Sequence, residues 1–231
     1  MIHLKPNNGK REIIEVDGVS YRRLPIKTHI ITEQDRIEDV AECYAKGFME
    51  EGDILFISEK CVACTQKRAI PMEEIEPRPL ASFLCRFVYK SPYGIGLSIP
   101  ETMEMALREC GTFRILWAAA WSAVGKLFGK RGIFYDIAGE KARSIDGPCD
   151  CTLPPYNHYV VLGPKEPDKV AHGIKRRIGF DACIVDVNDL DGEILGVSDS
   201  AMDRDLLARI LIDNPLGQSG QQTPMGIIRK A

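Results

Sequence analysis

Ile54-Leu55-Phe56-Ile57 is a continuous apolar run set between the turn Glu51-Gly52-Asp53 and the polar stretch Ser58-Glu59-Lys60. A strand without polar alternation is buried on both faces, as in a sheet covered by helices. The preceding residues agree. Ile26 to Ile31 has strand character, and Thr32 stands where it can cap a helix from about Glu33 to Met49, with Ile37, Val40, Ala41, Tyr44 and Ala45 at helical spacing. This strand–helix–strand order predicts an α/β protein with mixed, α+β-type sheets.

The rest of the pattern extends that reading. Residues 12–24 read as a hairpin about Asp17-Gly18. A helix-like run from Leu80 to Tyr89 follows Pro77 and Pro79, and Pro100 to Cys110 reads as a helix stopped by Gly111. Ile115 to Phe128 is the most apolar segment. Interrupted by Ser122, Gly125 and Lys126, it is too short to span a bilayer, and is expected to be a buried core helix, with a membrane-surface helix as the alternative. Ile133 to Ile137 and Val160 to Leu162 read as strands, Pro167 to Ile178 as a helix, Ala182 to Val187 as a strand, Met202 to Ile212 as a helix and Met225 to Ile228 as a closing strand. A length of 231 residues suits one domain over 1–231, which admits two interlocked α/β halves meeting between about residues 90 and 132.

With 30 Lys+Arg against 33 Asp+Glu the net charge is −3, which argues against a general polyanion binder, so no nucleic-acid partner is expected. Met1 to Arg11 is polar and basic, without the apolar segment of an export signal; a cytoplasmic protein with no membrane partner is expected. Eight cysteines in such a chain are expected to be reduced and buried. Cys61 and Cys64 have C-x-x-C spacing but no second pair at zinc-finger distance, which favours packing over metal or redox use.

Three groupings carry candidate chemistry. Asp186 ends the apolar run Cys183-Ile184-Val185, where open α/β sheets place ligands, and Asn188, Asp189 and Asp191 follow as hard oxygen donors suited to magnesium or manganese. Asp146 sits in Ser144-Ile145-Asp146-Gly147-Pro148, a stiff loop able to aim a carboxylate inward. A solvated turn remains the plain alternative for residues 189–192. The second grouping is the loop Asn214 to Pro224, rich in backbone N–H groups, glycine and neutral donors; it could nest a phosphate or nucleobase, or be a mobile surface loop. The third is Ser58-Glu59-Lys60, at a strand end that could touch a ligand or simply start a helix. His29 and His158 read as structural.

The order of these segments resembles the coenzyme F-420-0 γ-glutamyl ligase family. Leu24 to Ile31 and Glu51 to Lys60 are similar to its opening, Ile145-Asp146 to its first metal segment, Ile184 to Asn188 to its second metal-binding strand end, and Gly217 to Arg229 to its closing nucleotide loop and strand. The resemblance implies a GTP-dependent ligase that joins an F-420-type acid to glutamate or another amine, uses manganese or magnesium, and works as a homodimer. Carried over by position, it implies Asp146, Asp186 and Asn188 as metal ligands. It implies Thr28, His29, Ile30, Ile31, Glu59, Lys60, Gly217, Gln218, Ser219, Gly220, Gln221, Gln222 and Thr223 around the nucleotide, and Asp150, Asn157 and Asp189 as further candidates. The chain departs from the family pattern at Val187, in the acidic run Asp189 to Glu193, and at Cys149. Two other readings stay open: a non-catalytic nucleotide- or metal-binding paralogue, and a metal-dependent phosphohydrolase.

Overall fold

The computed structural model describes residues 4–88, 95–130, 132–150, 152–188, 192–217 and 220–231. Along the chain come β1 (Ile13–Val16), β2 (Val19–Ile26), α1 (Ile37–Tyr44), β3 (Ile54–Ser58), α2 (Glu59–Thr65), β4 (Ala69–Pro71), α3 (Pro79–Leu84), α4 (Pro100–Cys110) and α5 (Thr112–Leu127). They are followed by α6 (Ile133–Ala138), α7 (Glu140–Arg143), β5 (Tyr159–Val161), α8 (Pro167–Ile178), β6 (Asp181–Val187), β7 (Gly192–Val197), α9 (Arg204–Leu211) and β8 (Met225–Lys230).

The chain divides into two compact units. One joins Met1–Lys67 to Pro164–Ala231, and the other is Arg68–Gly163. The sequence pointed to a division between about residues 90 and 132, where no linker composition marks a boundary. The reason for the different division is strand order. In the first unit six strands run β1-β2-β8-β3-β6-β7, so the last strand of the chain lies between two early ones. Of these pairings, β3 with β6 is parallel and the rest are antiparallel. Segments from both ends of the chain therefore share one sheet.

Alternation sorts that sheet into two covered faces. Leu55, Ile57, Ala182, Ile184, Met225 and Ile227 pack with Val40 of α1 and Ala171 and Ile174 of α8. Phe56, Cys183, Val185 and Ile228 pack on the other side with Leu207, Ile210 and Leu211 of α9. The unbroken apolar run of β3 is explained by this double burial. Asp17 and Gly18 both take positive φ, 52° and 76°, which is the backbone of a tight two-residue hairpin turn. In the second unit β4 pairs with β5, and a separate core gathers Leu97, Met103, Leu107, Ile115, Ile145 and Val160. The fold class expected from the sequence, mixed α and β with mixed sheets, is the one observed.

Several elements differ from expectation. The strand expected over 26–31 ends at Ile26. The helix expected from Glu33 to Met49 is shortened to α1 and a 3-10 turn, Lys46–Phe48. The Asp35 carboxylate accepts from Thr32 N (2.7 Å) and from the Thr32 hydroxyl (3.0 Å), so these groups close a turn and Arg36 takes the cap position. The strand expected over 133–137 is helix α6, bracketed by Gly132 and Gly139 at φ 89° and 88°; a short apolar run does not by itself distinguish the two. α5 is not a buried core helix. Its buried residues are the small or medium-sized Ile115, Ala118 and Gly125, while its large apolar side chains point outward. Gly125 lies where any side chain would strike Ile133 of α6, so this helix docks through its smallest residues. Among the cysteines, Cys43 is exposed, and Cys149, in the exposed loop before β5, is disulfide-bonded, against the expectation of reduced, buried thiols.

Candidate functional site

In the first unit, chain direction collects distant residues at one end of the six-stranded sheet. β3 and β6 run parallel with Ser58 beside Val185, so Glu59 and Asp186 each lie one residue further along at the same end. β8 runs against both neighbours and begins there, and β2 ends there, with Ile26 beside Met225 and Met225 beside Ile57. Backbone bonds close the corner: Ser58 N donates to Pro224 O (2.9 Å) and Thr28 N to Gln222 O (3.2 Å), while Gln222 Nε2 donates to Thr28 O (2.7 Å). Thr28, Glu59, Asp186, Gln222 and Thr223 thus share the carboxyl end of the parallel pair, where open α/β sheets bind ligands.

Their side chains differ in availability. Glu59 is buried at the start of α2, and Lys60 beside it is half-buried. Of the two readings of Ser58-Glu59-Lys60, the helix start is observed: Ser58 takes the cap position of α2 without a side-chain capping bond. Thr28 is buried and its hydroxyl donates to His29 O (2.7 Å). His29 uses both ring nitrogens, Nδ1 against Tyr44 Oη (2.9 Å) and Nε2 against Asp35 Oδ1 (3.1 Å). Burial raises the Asp35 carboxyl, but bonds from Thr32 and His29 outweigh it and hold the group below its ordinary value. Ile31 belongs to the core, whereas Ile30 is exposed.

The closing loop is stapled in place. Asn7 Nδ2 lies 2.9 Å from Pro215 O, 3.0 Å from Leu216 O and 2.8 Å from Thr223 Oγ1, and the Thr223 hydroxyl lies 2.8 Å from Leu216 O. Asn214 (φ 49°) and Gly217 (φ 81°) turn the chain, and Asn214 Nδ2 donates to Gly217 O (3.2 Å). A side chain at Gly217 would meet that of Gln221. Asn7, which the sequence did not single out, is therefore a support of this loop; its only signal was an asparagine in a polar leader. Gly220 is exposed in open space, and Gln218 and Ser219 lie outside the described residues.

For metal, the first unit offers Asp186 on β6 directly opposite Glu193 on β7. Two like charges so paired repel across the ladder, and a divalent cation between them would relieve that. Asn188 follows on β6's exit, and Asp189 lies outside the described residues. Glu193 was read from sequence only as part of an acidic departure; strand register brings it opposite Asp186. In the second unit, Asp146 forms a reciprocal bridge with Val161 (2.8 and 2.9 Å), Asp150 is exposed, and Asn157 Oδ1 is buried without a hydrogen-bond partner. Among the described residues no three His, Cys, Asp or Glu side chains cluster tightly enough to cage an ion. An all-oxygen donor set of this kind fits magnesium or manganese, which bind through one or two carboxylates and complete their shell with water and phosphate.

The cysteines stand apart from this chemistry. Burial pushes the Cys183 thiol up to about 12, and burial with the neighbouring Cys64 raises Cys61 strongly despite Lys60, so both are poor nucleophiles and poor ligands at neutral pH. A pocket of about 240 Å³ in the second unit is lined by Glu109, Arg114, Glu140 and Lys141 among others, and takes in none of the candidate residues.

The model of the F420-0:gamma-glutamyl ligase family matches residues 25–195, from the end of β2 to β7, and the chain belongs to that family of ligases. A curated relative, the Coenzyme F420:L-glutamate ligase of Methanopyrus kandleri, is 27% identical over 226 residues, covering 83% of this chain and 81% of the relative. Among the described residues no helix is long and apolar enough to cross a membrane.

Proposed function

We propose that this protein is a GTP- and divalent-metal-dependent ligase that joins an acid of the coenzyme F-420 type to the amine of glutamate through an amide bond. The match over residues 25–195 carries the reading, and the gathering of Thr28, Glu59, Asp186, Gln222 and Thr223 at one sheet end supports it. A carboxylate does not form an amide with an amine unaided. It first attacks the γ-phosphorus of the nucleotide, releasing the diphosphate and giving an acyl phosphate; glutamate's amine then displaces phosphate and loses a proton. Both steps press like charges together.

The bound metal supplies charge screening and alignment of phosphate and carboxylate. Asp186, Asn188 and Glu193 of the first unit would hold it. Lys60 places a cation near the triphosphate, and Gly220, which stands in open space, lets backbone approach phosphate oxygens without side-chain obstruction. Asn7 and Thr223 keep that loop's shape. The protein is proposed to act as a homodimer in the cytoplasm.

The test is thermal denaturation with manganese, with GTP, with ATP and with their combinations. Metal and GTP together raise the midpoint more than either alone, because a ligand that binds only the folded state stabilises it by RT ln(1 + [L]/Kd). Asp186→Asn and Glu193→Gln each diminish the combined shift. An unchanged midpoint under every nucleotide and metal would defeat the proposal.

A further inference from the structure

The outward face of α5 inverts the usual arrangement of a surface helix, in which the large apolar side chains face the core. At 100° per residue, Phe113, Leu116, Trp117, Trp121, Val124 and Leu127 fall on one arc, with Ile115, Ala118 and Gly125 buried on the opposite side. Trp117 and Leu127 are 53% and 84% exposed, and Phe128, just past the helix, is 77% exposed. Lys126 Nζ donates to Phe87 O (3.1 Å), which brings the exposed Phe83–Phe87 edge-to-face pair to the last turn of α5. So much contiguous exposed aromatic surface marks a contact site.

Charge identifies what the contact is with. From Gly111 to Tyr135 the chain carries Arg114, Lys126, Lys130 and Arg131 and no acidic residue, and from Pro77 to Pro100 it carries Arg78, Arg86 and Lys90 and again no acidic residue. The whole chain has net charge −3, so this local basic excess runs against the rest of the molecule. Arg78 is answered by Glu104 (3.0 Å), but face-to-face contact with a second copy would set the exposed Arg86, Lys126 and Lys130 against one another. An anionic lipid surface answers both features, because its headgroups attract Lys and Arg while the headgroup–acyl boundary accepts Trp, Phe and Leu. Sixteen residues at about 1.5 Å each make a helix of roughly 24 Å, short of a bilayer's hydrocarbon thickness, so α5 would lie flat rather than span.

We propose that the exposed face of α5, with Phe83 and Phe87 beside it, docks the protein on an anionic membrane surface. This revises the expectation of no membrane partner, and it stands independently of the ligase reading.

The chain's two tryptophans, Trp117 and Trp121, both lie on this face and pack edge to face at 5.8 Å, so intrinsic fluorescence reports on it directly. The purified full chain is mixed with phosphatidylcholine vesicles and with vesicles in which phosphatidylglycerol replaces part of the phosphatidylcholine. Sedimentation and tryptophan emission are then followed. The expected result is co-sedimentation and a blue shift with anionic vesicles, much weaker with neutral ones. Leu127→Ser with Phe128→Ser, which keeps both reporters, and separately Arg86→Glu with Lys130→Glu, each lower partitioning about tenfold or more while circular dichroism stays unchanged. No co-sedimentation, equal binding to neutral vesicles, or binding unaffected by both variants overturns the proposal. So does a doubled mass by light scattering that Leu127→Ser with Phe128→Ser abolishes, if vesicle binding is absent; the face would then serve a second copy.

Discussion

Arg23 on β2 has no solvent-exposed side-chain surface, and its charge is met by Asp213 together with the carbonyls of Ile210 (3.1 Å) and Arg11 (2.6 Å). Burial alone would raise the Asp213 carboxyl, but Arg23 holds it below the ordinary 3.8. A carboxyl with a lowered folded value adds stability above its unfolded value, and that stability is lost as pH falls through the folded value. The pair's contribution is therefore expected to be full at neutral pH and to fade below about pH 4. Asp213→Ala strands a buried guanidinium and should cost about 2–4 kcal/mol at pH 7, measured by denaturant unfolding, with the deficit shrinking in acid. Gly226 on β8 lies between Pro25 and Phe56, where any Cβ would press on the Phe56 ring and on Leu24 O. Gly226→Ala should lower stability by about 1–3 kcal/mol, read from the same unfolding curves; a neutral result would mean that Phe56 repacks freely.

Among the elements, α8 shows how backbone can seat directly on backbone. A Cβ at Gly196 of β7 would meet the backbone of Pro167 and Asp168 at the start of α8, and Asp168 Oδ1 accepts Val197 N (2.8 Å) from the same strand. Neither partner is a flexible side-chain end, so Gly196→Ala should cost about 2–3 kcal/mol or more and lower the denaturation midpoint accordingly. Elements with decisive local signals were legible in the sequence: α4 begins with Pro100 and ends before Gly111, and β3 and β6 follow from unbroken apolar runs. Elements decided by tertiary context were not. α5 is composed like a core helix, yet Gly125 and Ala118 rather than Trp117 and Trp121 make its inner contact. α6 is a six-residue, mostly apolar segment broken by Asp136, and glycines bracket it at both ends.

At the scale of the whole chain, the sheet order explains why the candidate site was only half visible. Asp186 and the Asn214–Pro224 loop stood out because strand ends and glycine-bearing loops carry their own signals. Glu193 and Asn7 did not, because one owes its place to cross-strand register and the other to a bond with Thr223 more than two hundred residues away. The insertion of β8 between β2 and β3 brings Thr28, Ser58 and Gln222 to one corner, and no local pattern announces such an order.

The central claim is that this sheet end supports amide formation driven by a nucleotide. Its most direct test is incubation of the protein with GTP, manganese, glutamate and coenzyme F-420-0, with GDP, phosphate and the glutamate amide product followed together by mass spectrometry. The expected result is stoichiometric formation of all three that requires glutamate and metal and falls at least about a hundredfold in Asp186→Asn, in the range of losing a metal ligand's contribution. Phosphate release that proceeds equally without glutamate and yields no amide would contradict the account.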